Sequence, residues 1–594
     1  MTSVTDALGT ASALMLWVTM AASGAAQSAR TDSVAVSAAS QAQTDFVRGL
    51  AALHNFEYEE ANEAFVRAQK ADPGHAMAFW GEAMTYHQTL WRNEDLAAGR
   101  RVLGRLGATA AIRASKAQTT KERAYLAAVE TLFGPGDPVS RVSGYAEAMG
   151  RLYASDPDDP DVASLYALAL LGTMSRSLIG MVDAHEGHAA ALAGSKTQTQ
   201  VAAILERALA SKPNHPGALH YLLHNYDDPD HARLALSSAR TYAQVAPESS
   251  HARHMPAHIF LQLGLWADAE AADRTAFAAS DAWVKRKSLP AAMRSYHALS
   301  WRQYELLQLG RFREAWDTIG EIAPVVKSTG DLALLSDLST MRARYVVETR
   351  RWDVLASERN FGNVNELCAI GFSAAHARNG ALAELARQAL AARATSPQEG
   401  DLRPAIAIME RQVSAMIEWA AGHHEKTVEI LKAAAKDELK LPPPLGLPAP
   451  IKPSSELLGE VLLEVKRPAE AIEPFTQALA RNPNRTLSVL GLARASSAAG
   501  QLEEARQHYR GFLANYDRAD SELPELAEAR AALQADSVPT SSSRIDPVPA
   551  VAAAVGIVLV VGLTFFARRL TARQPRSTTA PGSQPKRRRR RGRS

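Results

Sequence analysis

Residues 46–84 read FVRGLAALHNFEYEEANEAFVRAQKADPGHAMAFWGEAM, and the order of small, aromatic and proline residues in this stretch decides the fold. Gly49 falls in a helix-forming segment. An aromatic, Tyr58, follows a polar turn, Ala61, Phe65 and Ala68 share one face of a second helix, and Pro73 closes it. Small residues at a helix contact let two helices approach closely. A proline lacks the N–H that continues a helix, so it stops the second helix and opens the next unit.

The same order returns along the chain. QLGLWADAEAADRTAF carries Gly264, Trp266 and Ala269; QLGRFREAWDTI carries Gly310, Phe312 and Ala315. GQLEEARQHYRGFLANY carries Gly500, Leu502 and Ala505, and EVKRPAEAIEPFTQALARNP ends at Pro483. A helix–turn–helix unit recurring at about 34 residues is the signature of stacked helical pairs. Alanine- and leucine-rich strings such as ALAELARQALAARA favour helix between these units. Residues 100–200 and 330–430 read as degenerate helical pairs.

These residues resemble the tetratricopeptide repeat consensus, and the histidine-bearing block is similar to bacterial repeat proteins of unassigned function. The resemblance implies an all-α fold, an α-solenoid of helix–turn–helix repeats whose first helices line a concave groove. The expected organisation is a solenoid over 42–440, a Pro-rich bridge at 440–453 (KLPPPLGLPAPIKP) and further repeats over 454–535. The bridge cannot be helical and reads as extended, polyproline-like chain.

The ends carry other signals. Residues 7–22 are apolar and are followed by Ser23, Gly24, Ala25 and Ala26, which suits a cleaved signal peptide over 1–26, although its start has no Lys or Arg and contains Asp6. A Ser/Pro-rich linker at 536–548 precedes PAVAAAVGIVLVVGLTFFA (549–567), which has no charge. As a helix it would extend roughly 28 Å, enough for one membrane span. Eleven Lys or Arg and no acid lie from Arg568 onward, so the net charge of +3 leaves the preceding residues at −8. The expectation is a single-span membrane protein with an extracytoplasmic body and a basic cytoplasmic tail (568–594) that touches anionic lipid. An acidic body argues against a nucleic-acid partner. The single cysteine, Cys368, excludes an intrachain disulfide and reads as a buried thiol.

Histidines carry the chemistry. His220 and His224 form one His-x-x-x-His pair, His254 and His258 another, and the pairs stand 34 residues apart. Four residues are about one helical turn, so each pair shares a helix face. With Trp266 as the turn aromatic, the family resemblance places His251, His254 and His258 at groove positions 2, 5 and 9 of one repeat. It places His220 and His224 at 5 and 9 of the preceding repeat, and His297 at 2 of the following one. In an N-terminal repeat, Trp80, Met84 and His87 take groove positions 5, 9 and 12.

First helices of adjacent repeats pack about 8–10 Å apart, so imidazoles from two of them can converge. Neutral nitrogens at about 2.0–2.1 Å would hold zinc, copper or nickel, with Asp227 as a further ligand or as an acceptor behind one. Asp183, His185, Glu186 and His188 form another metal-like group. Pro256 inside the second pair points to a helix start near residue 255, which would leave His251 and His254 outside regular helix.

Metal binding, a peptide-binding or pH-sensitive polar groove, and purely structural histidines all remain open from the sequence. No Gly-rich phosphate loop, Gly-x-Ser-x-Gly or His-Glu-x-x-His is present. The sequence therefore points to a non-enzymatic scaffold that captures a protein or peptide in its groove. The alternative is a metal-binding or metal-dependent protein built on the histidines, with zinc or copper as the cofactor.

Overall fold

A computed structural model of the chain describes residues 40–176, 195–359, 361–442, 444 and 446–534. These residues form helices, with one two-stranded antiparallel pair, His87–Gln88 against Asn93–Glu94. Successive helices pack against one another along most of the chain, and first helices also meet across units, as Ser40–His54 meets Ala76–Met84 and Pro216–Asn225 meets Ser250–Gln262.

Glycine and phenylalanine make that stacking possible. Phe65, on Tyr58–Ala71, lies between Gly49 on Ser40–His54 and Gly81 on Ala76–Met84. A Cβ at either glycine would stand 2.8 Å or less from the ring. Phe475, on Pro468–Arg481, lies in the same way between Gly459 and Gly491. One ring thus wedges three helices together at both ends of the solenoid.

Both ends also pack back on the middle. Near the N-terminus, the Tyr242 hydroxyl donates to Asn55 Oδ1 at 2.9 Å, and Trp283 Nε1 donates to Glu60 Oε1 at 2.8 Å. Near the C-terminus, Trp266 Nε1 donates to the Asn484 carbonyl at 2.8 Å, and Thr486 Oγ1 donates to the Gln308 carbonyl at 2.7 Å. The fully buried Arg485 ties this closure, reaching Glu456 at 2.8 Å, Glu348 at 2.7 Å and the Tyr304 hydroxyl at 3.0 Å. Described residues of the Pro-rich segment pack on this closure, with Leu447 against the cluster of Leu261, Trp266, Trp301 and Tyr304. Pro444 accepts from Gln262, and the Leu441 carbonyl accepts from Arg481.

The membrane expectation is corrected. Among the described residues no helix is long and apolar enough to cross a membrane. The 549–567 segment on which that expectation stood lies outside the described residues, as do the 1–26 segment, the linker and the basic tail. The single-span location is not supported by any described helix. The expected break at Pro256 is also corrected. The helix runs Ser250–Gln262, because the Ser249 side chain accepts from the Ala252 N–H and starts it nearly two turns before the proline. His251 and His254 are therefore helical.

Candidate metal centre

Three consecutive first helices build the centre: Pro216–Asn225, Ser250–Gln262 and Tyr296–Gln308. His220 and His224 project from the first, His251, His254 and His258 from the second, and His297 from the third. They gather into two trios. Ligand nitrogens of His220, His224 and His251 all lie within 4.8 Å of one another, and so do those of His254, His258 and His297. Each trio spans one interface between successive first helices. A pair one turn apart comes from one helix, and a single histidine comes from the second position of the next.

In the first trio His220 Nε2 stands 3.0 Å from both His224 Nε2 and His251 Nε2. His220 Nδ1 lies 2.6 Å from the His54 carbonyl, which can only accept, so Nδ1 carries a proton and Nε2 is turned toward its two neighbours. Phe56 covers this trio at 4.4 Å between ring centroids from His220, and Tyr242 stacks on His220 at 5.1 Å.

The second trio repeats the plan. His254 Nε2 and His258 Nε2 are 3.0 Å apart, and both Nδ1 atoms are tied back. His258 Nδ1 meets Asp227 Oδ2 at 2.9 Å, and His254 Nδ1 meets Asp273. Trp301 lies against His258 at 4.2 Å between centroids, and His297 lies 4.7 Å from His254. Burial pushes His254 down to about 3, so its ring is neutral at pH 7. Burial also pushes the carboxyls of Asp273 and its neighbour Glu305 well above the usual range.

Two proton arrangements satisfy this geometry. With Asp273 protonated, a chain of hydrogen bonds runs Asp273–His254–His258–Asp227. With both carboxylates accepting from Nδ1–H, the two Nε2 lone pairs face each other, an arrangement that a metal ion or a proton between them satisfies. Two nitrogens at about 2.0–2.1 Å from one ion stand roughly 2.9–3.4 Å apart for angles between about 90° and tetrahedral, which the observed 3.0 Å fits.

A third group, His54, Asp161 and His215, is fully buried and has no nitrogen to spare. Both rings donate to Asp161 Oδ1, at 2.9 and 3.0 Å. The remaining nitrogens are also used. Tyr221 approaches His54 Nδ1 at 3.1 Å, and the Ala218 N–H donates to His215 Nδ1 at 3.1 Å. Burial opposes the charge on Asp161, but hydrogen bonds from His215 and His54 outweigh it and hold the carboxyl far below the usual range. This group buttresses the first trio, because the His54 carbonyl fixes His220.

Asp227 acts behind His258 rather than beside it. Asp273 and the His54 carbonyl play the same part, and sequence reasoning does not find either. Asp273 shows only as an acid among small apolar residues in AEAADRTAF, and the carbonyl leaves no mark in a sequence. Trp80, Met84 and His87 do not join the histidines. Trp80 and Met84 are packed in the N-terminal core, with Trp80 5.0 Å from Tyr125 between ring centroids. Their helix ends at Met84, which places His87 on the short strand pair opposite Glu94. The 183–188 group lies outside the described residues.

In front of both trios opens a pocket of about 350 Å³ that His251, His254 and His297 line together. Cys368 does not line it and is buried in the C-terminal core, where burial raises its thiol.

Comparison with known proteins bears on the fold. Residues 462–533 match the tetratricopeptide repeat family model. The resemblance to tetratricopeptide repeat proteins holds. No curated protein matches the chain. Among solved structures, yeast Tom70 is similar at 12% identity, covering 84% of this chain and 97% of its own, with a TM-score of 0.26. The APC/C hetero-tetramer Cut9–Hcn1 is similar at 12% identity, covering 83% and 97%, with a TM-score of 0.27. Neither likeness bears on what this chain does. A scaffold of the tetratricopeptide type suggests protein–protein interaction and leaves catalysis open.

Proposed function

We propose that this is a metal-binding repeat protein that holds a transition-metal ion at each of two three-histidine sites. One observation carries the reading. The same convergence of three imidazoles, with a ring tied back through Nδ1, recurs at two successive helix interfaces. Polar contact residues scattered along a groove would not repeat that arrangement. Imidazole donors without thiolate suit zinc, copper or nickel, and tying back the outer nitrogen is how proteins orient such ligands. Zinc or copper is the expected occupant. Three protein ligands leave a coordination position open, which is also the arrangement of catalytic metal sites. Capture of a protein partner is the broader reading, supported by the repeat match at 462–533.

The test is metal content. The chain is stripped with chelator, reloaded with zinc or copper, desalted and assayed by mass spectrometry. The unaltered protein retains two equivalents, one for each trio. H220A with H224A retains one, and so does H254A with H258A. Retention of none by the unaltered chain, or retention indifferent to these changes, contradicts the reading. His251 is half-buried and His297 exposed, so H251A and H297A fold in any case and weaken only their own sites.

A further inference from the structure

The pocket before the histidines has walls that choose a ligand. His251 belongs to the first trio and His254 and His297 to the second, so a molecule in this pocket reaches both sites. Its volume of about 350 Å³ suits a small molecule and is too small for a folded partner. Phe56, Trp91 and Trp283 supply aromatic surface, and no Lys or Arg lines it. Its charged lining is all carboxylate. Glu60 is already committed to Trp283 and to Lys287, at 3.1 Å from the latter, which leaves Glu57, Glu59 and Glu248.

We propose that this pocket binds a small organic amine, held as a cation between the carboxylates and the aromatic rings, that presents a second donor atom to the metal. The proposal rests on the metal-binding reading above. Ammonium groups are attracted to the faces of Trp and Phe rings and gain more where water is excluded. An anion of the same size would face Glu57 and Glu248 without a counter-charge on the pocket wall. Burial, with Glu60 and Glu248 adding to it and Ser249 and Arg286 opposing, already lifts the Glu57 carboxyl to about 7, so a cation beside it relieves an unfavourable burial. His251, His254 and His297 line the same space, so a ligand whose cation sits among the carboxylates would bring its donor atom to the side where these rings would hold the metal.

Cobalt(II)-loaded full-length protein reports the outcome, because its visible absorption changes when a ligand enters the metal's coordination. It is titrated with histamine, a cation with an imidazole donor, and with imidazole-4-acetate, an anion of similar size. Histamine should bind about tenfold more tightly or better. Changing Glu57→Gln together with Glu248→Gln should erase most of that preference while cobalt content stays the same. Equal binding, or tighter binding of the anion, overturns the proposal. So does histamine that only removes cobalt from the protein, seen after gel filtration. A protein that retains neither cobalt nor zinc or copper refutes the metal reading itself, which keeps the two failures apart.

Discussion

At the scale of the residue, the site depends on atoms that never touch a metal. Asp227 fixes the His258 ring through Nδ1. Asp227→Asn keeps the shape and removes the charge, so it should weaken metal at the second trio about 10–100-fold and leave the first unchanged. Competition with a coloured chelator reads both affinities. Asp161 is the matching point behind the first trio. Asp161→Asn removes the carboxylate that takes N–H groups from two buried histidines, and should cost about 3 kcal/mol at pH 7 in urea unfolding. The sign with pH follows from its depressed carboxyl. Its folded value lies below the unfolded value near 3.8, so the stabilisation is present above about pH 4 and fades as pH falls toward the folded value. The gap between the two proteins should therefore narrow on acidification, and a gap that widens would refute the assignment. The ligands themselves are legible in the sequence because two pairs at one repeat spacing leave little freedom. Their outer-nitrogen partners are not, because Asp273 lies on a second helix and His54 about 165 residues before His220.

At the scale of the element, the repeat is legible from small residues and turn aromatics, and the structure explains why those positions must be small. Gly491 would bring a Cβ to 2.2 Å from Phe475. Gly491→Ala should cost about 1–3 kcal/mol through forced repacking, whereas Gly320→Ala, with nothing within 4 Å, should stabilise its helix by up to about 1 kcal/mol. Thermal melts of the two variants separate these effects, and equal melting temperatures would contradict the wedge. The sequence misleads at Pro256. A proline inside a helix costs stability, but the Ser249 cap and a buried helix face outweigh it, so the helix begins before it. Trp80 and Met84 mislead for another reason. Every residue of Ala76–Met84 is buried, so helical register alone cannot say which face looks into a groove.

At the scale of the molecule, the period predicts stacking but not closure, since nothing periodic announces contacts some 180–220 residues apart. The C-terminal repeats are fastened to the middle by Arg485, buried against Glu456 and Glu348. Arg485→Ala would take the cation from Glu348 and leave Glu456 to Lys452, at 2.7 Å, and should cost about 3 kcal/mol. Hydrogen exchange should show that loss concentrated where residues 454–534 meet the Tyr296–Thr349 region, and uniform loss along the chain would contradict the fastening role. A separate closure, Tyr242 to Asn55 and Trp283 to Glu60, keeps the N-terminal turn, with Phe56, over the first trio. The central claim is that these histidines were placed for metal. Anomalous diffraction from crystals of the full chain soaked in zinc tests it most directly. The account predicts two peaks, one within bonding distance of His220, His224 and His251 and one of His254, His258 and His297. Zinc found only at surface carboxylates, with both trios hydrogen-bonded and vacant, would contradict it.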